Sequence, residues 1–153
     1  MKKIFPAVRF DKKQTETEKH ILIFLFGGIG YGLIEVMWRG RTHPSMVVTG
    51  GLCLLIVRMI NRRFFTVSII KRSLMCTASI TAIEFVVGCV VNIWLGLGVW
   101  DYSDLKMNLL GQVCPLYSAL WFCICVPLVF VMSLIIRKNE TVAENNTVRA
   151  KKQ

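Results

Sequence analysis

The sequence predicts an all-α, polytopic membrane protein with four transmembrane helices and both termini on the cytoplasmic side. Three observations carry that prediction: the composition, the apolar runs and the placement of the basic residues. Of 153 residues, 54% are hydrophobic and 18% charged, against roughly 45–50% and about 25% in soluble domains, and the mean hydropathy is +0.55. A soluble fold built from this chain would have an interior too large for its surface, so lipid is the fitting solvent. Crossing a hydrocarbon core of about 30 Å takes an apolar helix of about 20 residues, and four runs qualify.

The first span covers about 20–38. A polar stretch precedes it and no small-residue cleavage pattern follows, so it is expected to be retained rather than removed as a signal peptide. The second, about 44–60, is at the short end of the spanning range, which leaves a shallow or re-entrant segment as the alternative. The third, about 73–98, is long enough to tilt, and the fourth covers about 111–136, leaving 99–110 as an outer loop. The membrane domain is thus 20–136, between basic cytoplasmic tails at 1–19 and 137–153.

A net charge of +10 suits nucleic acid only where the charge forms one patch, and here it does not. Lys2, Lys3, Arg9, Lys12, Lys13 and Lys19 precede the first span, and Arg62, Arg63, Lys71 and Arg72 separate the second from the third. Arg137, Lys138, Arg149, Lys151 and Lys152 follow the fourth, whereas the other intervening stretches hold only Arg39, Arg41 and Lys106. This alternation is the positive-inside pattern, and it supports a full second crossing, since a re-entrant segment would put both of its flanks on one side. The basic flanks therefore read as topology determinants and anionic-lipid contacts, with no nucleic acid as partner.

The tails are too short and too charged to form domains and are expected to be disordered or surface-bound. Asn139-Glu140-Thr141 and Asn145-Asn146-Thr147 match a glycosylation sequon, but a cytoplasmic tail never meets the machinery. Cys53, Cys76, Cys89, Cys114, Cys123 and Cys125 lie in or beside apolar runs without C-x-x-C spacing, so they read as small packing residues. Neither a metal site nor a cofactor is expected.

Polar residues inside the spans are the candidates for chemistry. Ser73, Thr77, Thr81, Glu84, Gly88 and Asn92 follow at steps of four, four, three, four and four, which places them on one helical face. Glu84 then sits near mid-membrane, some 16 Å from the inner end of its span at about 1.5 Å per residue. An acid at that depth costs roughly 2.5–3.5 kcal/mol, so it must be protonated, paired or lining water, and it should look into the bundle.

The first helix offers partners, with Gly27, Tyr31, Glu35 and Trp38 on one face and Gly28 and Gly32 as a small-xxx-small pair for close helix approach. Glu35 precedes Arg39 by one turn, in the favourable order for an interfacial ion pair. In the fourth span, Cys114, Ser118, Trp121 and Cys125 share a face expected to meet the third helix. Pro115 falls in the first turn, while Pro127 is expected to kink the helix or mark a hinge. The stretch WDYSDLKMNLLGQ at 100–112 is too polar to span and too apolar to float free, and reads as a loop folded over the outer mouth.

Together, GYGLIEVMWRGRTHPSMVVTGGLC and IEFVVGCVVNIWLGLGVWDYSDLKMNLLGQVC resemble the bacterial membrane proteins labelled Putative ABC-transporter type IV. The likeness covers roughly residues 21–125, and its most specific part is the W-D-Y-S…N-x-x-G-Q-x-C segment. It touches Gly30, Tyr31, Glu35, Arg39, Gly51, Glu84, Gly88, Asn92, Trp100, Asp101, Tyr102, Ser103, Asn108, Gly111, Gln112, Cys114 and Trp121. The resemblance implies a multi-pass protein of the bacterial cytoplasmic membrane connected with transport. The chain carries no G-x-x-x-x-G-K-[ST] phosphate loop, so ATP is not bound by that route here.

The leading functional expectation is a transporter or permease component with a polar, outward-facing cavity for a small solute, ion or lipid headgroup. Glu35, Arg39, Glu84, Asn92, Trp100, Asp101, Asn108 and Gln112 would line it, and Gly28, Gly32 and Gly88 would serve helix packing. Membrane lipids and a second copy, or a partner permease or ATPase subunit, are the expected partners. A structural or regulatory subunit, in which Glu84 and Asn92 only bond helices together, is one alternative. A lipid-modifying enzyme of the outer leaflet, using Glu35, His43, Glu84 or Asp101 as acid/base groups, is the other. The sequence has no nucleophile elbow, no H-E-x-x-H helix and no Asp-rich motif, so an enzyme is disfavoured.

Overall fold

A computed structural model describes the backbone of residues 16–150 and the side chains of 16–138. Most of the amino-terminal tail, the last three residues and both sequons therefore lie outside the described residues or, within the last helix, outside the described side chains. Four helices follow one another: α1 Glu16–Arg39, α2 Pro44–Arg63, α3 Ile69–Gly88 and α4 Pro115–Ala150, with α3 continuing as a π-helix over Cys89–Trp94. All four are long and apolar enough to cross a membrane.

The weakest expected crossing, α2, is one continuous helix of 20 residues, about 30 Å long and so long enough to cross. Its start is well defined. Pro44 opens it, where a missing N–H costs nothing, and the His43 ring accepts from the Ser45 amide at 3.2 Å. Three boundaries differ from the sequence reading. The third helix ends at Trp94 because Gly96 and Gly98 adopt φ of +63° and +56°, values a helix cannot continue through. The fourth starts at Pro115 instead of 111, and its backbone stays helical through Pro127 and on to Ala150. The part of the carboxy-terminal tail up to Ala150 is therefore helical.

The closest helix pair is α1 with α2, and glycines make it so. A Cβ on Gly27 would lie 2.5 Å from the Gly50 carbonyl oxygen, and one on Gly28 would lie 2.6 Å from the Val47 carbonyl oxygen. On Gly32 it would meet Val47 at an ordinary 3.5 Å. The backbones thus touch where Gly27 and Gly28 cross α2, while the Gly32 step of the expected pair has room to spare. Close approach of backbones through small residues is how membrane helices gain packing without a hydrophobic driving force.

The other three helices share an apolar core of Cys53, Val57 and Ile60 from α2, Cys76 and Ile80 from α3, and Cys125 and Val129 from α4. Three of the six cysteines are here, as small packing residues, and among the described residues all six are free thiols. Outward-facing positions carry large apolar side chains such as Phe26, Leu33, Met37, Val86 and Leu134, as lipid contact requires. Glu16, Arg62, Arg72 and Ser133 gather at one end, the basic end. Arg39, Val99 and Gln112 mark the opposite, loop end.

Candidate functional site

The polar stripe of α3 faces inward along its length, with Ser73, Thr77, Glu84 and Gly88 all buried. Glu84 stands about 22 Å up the helix from Ile69. Both of its carboxylate oxygens are bonded. The Tyr31 hydroxyl of α1 donates to Oε1 at 2.8 Å, and the Trp121 indole N–H of α4 donates to Oε2 at 2.8 Å. The two donor rings stack on each other, with centroids 5.3 Å apart and planes 27° apart. Each hydrogen bond to a charged group offsets part of the desolvation of an acid at this depth. One turn below, Thr81 and Ser118 lie 3.2 Å apart, so the expected face of α4 does meet α3.

Glu35 is buried in a separate network. It accepts from the Thr42 hydroxyl at 2.6 Å, and Arg39 stands 3.3 Å away in the expected i,i+4 ion pair. Arg39 in turn donates to the Val99 carbonyl, which ties α1 to the loop between α3 and α4. Thr42 was not legible as a partner, because its contact depends on the tight turn at Gly40 (φ +71°).

Asn92, Trp100 and Gln112 converge, and they do so on one another. Asn92 donates to Gln112 Oε1 at 2.7 Å and accepts from the Val99 amide at 2.7 Å. The Trp100 indole donates to the Gln112 carbonyl at 2.9 Å, and the Gln112 amide group donates to the Leu110 carbonyl at 2.8 Å. Gly88 makes room for this: a Cβ there would lie 2.6 Å from Gln112 Oε1 and 3.0 Å from the Trp100 ring. The π-helical turn that carries Asn92 is a wider winding, of the kind often found at functional sites.

Asp101 and Asn108 form the third group, and they shape the loop. Asp101 accepts from the Ser103 amide at 2.8 Å and the Ser103 hydroxyl at 2.5 Å. Those bonds, the hydroxyl's first, hold the exposed Asp101 carboxyl below its ordinary range. Asn108 donates to the Ser103 and Leu105 carbonyls and accepts from the Gly111 amide at 2.9 Å. Gly111 has φ +69°, and a Cβ on it would lie 2.5 Å from the Ser103 hydroxyl. Tyr102 reaches inward to stack on Tyr117 of α4 at 4.3 Å. The long W-D-Y-S…N-x-x-G-Q segment is therefore a self-bonded plug seated on the helix ends.

The acid/base candidates stay apart: Glu35 with Thr42 and Arg39, His43 with Ser45, Glu84 with Tyr31 and Trp121, and Asp101 with Ser103. Among the described residues no His, Cys, Asp and Glu cluster is arranged to hold a metal ion.

A second buried polar node lies at the basic end. Arg72, 4% exposed, donates to Asn61 Oδ1 at 2.6 Å and to the Ser133 hydroxyl at 3.1 Å, joining α2, α3 and α4. Its guanidinium also lies 5.5 Å from the centre of the Phe65 ring. Read from sequence, Arg72 was a topology charge. The signal that it is buried is its spacing of four and eight residues before Cys76 and Ile80, which puts it on the buried face they share.

No curated protein and no solved structure matches the chain. One family does match, over residues 36–150, a stretch that holds Glu84, the π-helical turn, the whole plug and Arg72. The chain belongs to the family described as Putative ABC-transporter type IV.

Proposed function

We propose that the chain is the membrane-embedded component of a transport system of the bacterial cytoplasmic membrane, and that Glu84 is its proton- or cation-responsive group. Both tails would face the cytoplasm, by the positive-inside distribution of lysine and arginine. One observation carries the reading: a carboxylate deep in the bundle is held by one donor from α1 and one from α4, at 2.8 Å each. A change in its charge alters both bonds at once, and so couples two helices that otherwise meet little. Loading from the outer side requires the plug to lift, breaking the Val99 contacts with Arg39 and Asn92. Four helices offer little room for alternating access, so a second copy or a partner permease or ATPase subunit completes the machine.

Glu84→Gln is the informative variant because it fits. The amide oxygen accepts from Trp121, which can only donate, while the amide nitrogen donates to the Tyr31 hydroxyl, which can also accept. Fold and assembly are therefore expected to persist while proton or cation uptake is lost, read with an ion-sensitive dye trapped in reconstituted vesicles under an imposed gradient. Uptake unchanged by E84Q would overturn the proposal.

The structural or regulatory reading has one specific observation in its favour. The polar groups of the loop end bond mainly to one another, as interhelical glue does. On that reading E84Q is silent in every transport assay, and Trp121→Phe, which leaves Oε2 without its donor, lowers only stability.

A further inference from the structure

The groove between the start of α1 and the end of α2 has an apolar floor and a cationic rim. Met59 and Phe64 line it together with His20, Arg58, Arg62 and Arg63. The rim is over-supplied with cations. Lys19, Arg58 and Arg62 all reach a single carboxylate, Glu16, at 2.9, 3.4 and 3.3 Å. Arg63, stacked 6.0 Å from the Phe64 ring centre, adds a further positive charge. One guanidinium nitrogen of Arg58 is buried with no hydrogen-bond partner and faces the protein interior, while the other reaches Glu16 at the rim and is the one a ligand in the groove would meet.

We propose that this groove is a binding site for an anionic phospholipid of the leaflet at the basic end, its phosphate on Arg58 and Arg62 and an acyl chain along Met59 and Phe64. Charge complementarity favours an anion: among the described residues Lys19, Arg58 and Arg62 share Glu16, and a phosphodiester supplies negative charge with oxygen acceptors for the guanidinium forks. Depth selects a lipid. Arg58 and Arg62 are one turn apart at the end of a spanning helix, where headgroup phosphates lie, and the floor beside them is the apolar side of α2. Basic pockets between helices on a cytoplasmic face take lipid headgroups by this chemistry. Glu16 then acts as an internal competitor, occupying the rim when no phosphate is there. Nothing in this proposal depends on the role of Glu84.

The test uses the full chain in nanodiscs of phosphatidylcholine doped with phosphatidylglycerol, extracted into mild detergent and weighed by native mass spectrometry. Retained phosphatidylglycerol is expected, and Arg58→Gln or Arg62→Gln should each lower it about fivefold, the factor one basic residue near an anionic surface is worth. Glu16→Gln should raise retention, an outcome that damage to the fold cannot mimic. Equal retention of phosphatidylcholine, indifference to the arginine variants, lower retention in E16Q, or displacement of the lipid by millimolar inorganic phosphate would each overturn the site.

Discussion

At the loop end, the polar side chains of Asn92, Trp100, Gln112, Asp101 and Asn108 spend their hydrogen bonds on each other and on the loop backbone. The basic end is built differently: Arg72 Nε, Asn61 Nδ2, Ser73 Oγ and an Arg58 guanidinium nitrogen are all buried without hydrogen-bond partners, whereas the corresponding atom at the loop end, Glu35 Oε1, still has Arg39 at ion-pair distance. Among the described residues no carboxylate comes within ion-pair distance of Arg72. Satisfied polar networks fix a single arrangement, whereas unsatisfied buried groups mark where strain or a ligand belongs. A plug is thus set at one end and receptive chemistry is left at the other, with Glu84 between them.

The sharpest way to break that contrast is to unbalance Arg72. Asn61→Leu removes the acceptor at 2.6 Å and leaves a buried guanidinium with a serine hydroxyl and little else. A loss of about 3 kcal/mol is expected, the upper end of what a hydrogen bond to a buried charged group is worth. Arg72→Met combined with Asn61→Leu should recover much of it, because charge and acceptor go together. Unfolding in mixed detergent micelles measures both, and a tolerated single variant would show that the node is wetter than its burial implies.

Next in size is the α1–α2 crossing. Gly50→Val puts a Cβ 2.7 Å from the Gly27 carbonyl oxygen, and overpacking there should cost about 1–3 kcal/mol. Gly32→Ala, with its nearest neighbour at 3.5 Å, is the control and should change little. If the two behave alike in the same unfolding assay, the contact is not at Gly27 and Gly50.

A smaller effect is expected in the plug. Gly111→Ala meets both a left-handed φ of +69° and the Ser103 hydroxyl, and should cost about 1–2 kcal/mol for the backbone alone. Protease sensitivity of the 99–114 segment should rise before the helices unfold.

The smallest is a pH response of the same loop. Ser103 holds the Asp101 carboxyl below its ordinary 3.8, so the ionised form is the one the fold favours. That contribution is fully present at neutral pH and fades only as pH falls beneath the ordinary value, through the lowered one. Asp101→Asn should abolish this acid-side loosening in hydrogen exchange of the Ser103 amide. A loop that loosens between neutral pH and the ordinary aspartate value would contradict the assignment.

Much of the site was legible because helical periodicity is strict. Steps of three and four put Glu84 on the inward face of α3 and Trp121 on the face of α4 that meets it, and the i,i+4 pairing joined Glu35 to Arg39. Tyr31 shared a face with Glu35, yet its partner is the acid of another helix, and no periodicity within one helix reports that. Thr42 escaped because a turn, not a helix, delivers it. Arg72 was visible as a charge, but whether a basic residue at a helix end snorkels to water or turns inward depends on the neighbours it finds.

Composition, run length and the spacing of polar residues determined that this is a four-helix membrane protein with an acid facing inward, since a 30 Å apolar slab and a 3.6-residue turn leave a chain of this pattern few other choices. The tertiary structure decided what the acid faces, where the helices touch and which polar groups go without partners. Those outcomes depend on which helix lies beside which and on a few ångströms of approach set by Gly27, Gly50 and Gly88, and such distances are fixed only when side chains from separate helices compete for the same space.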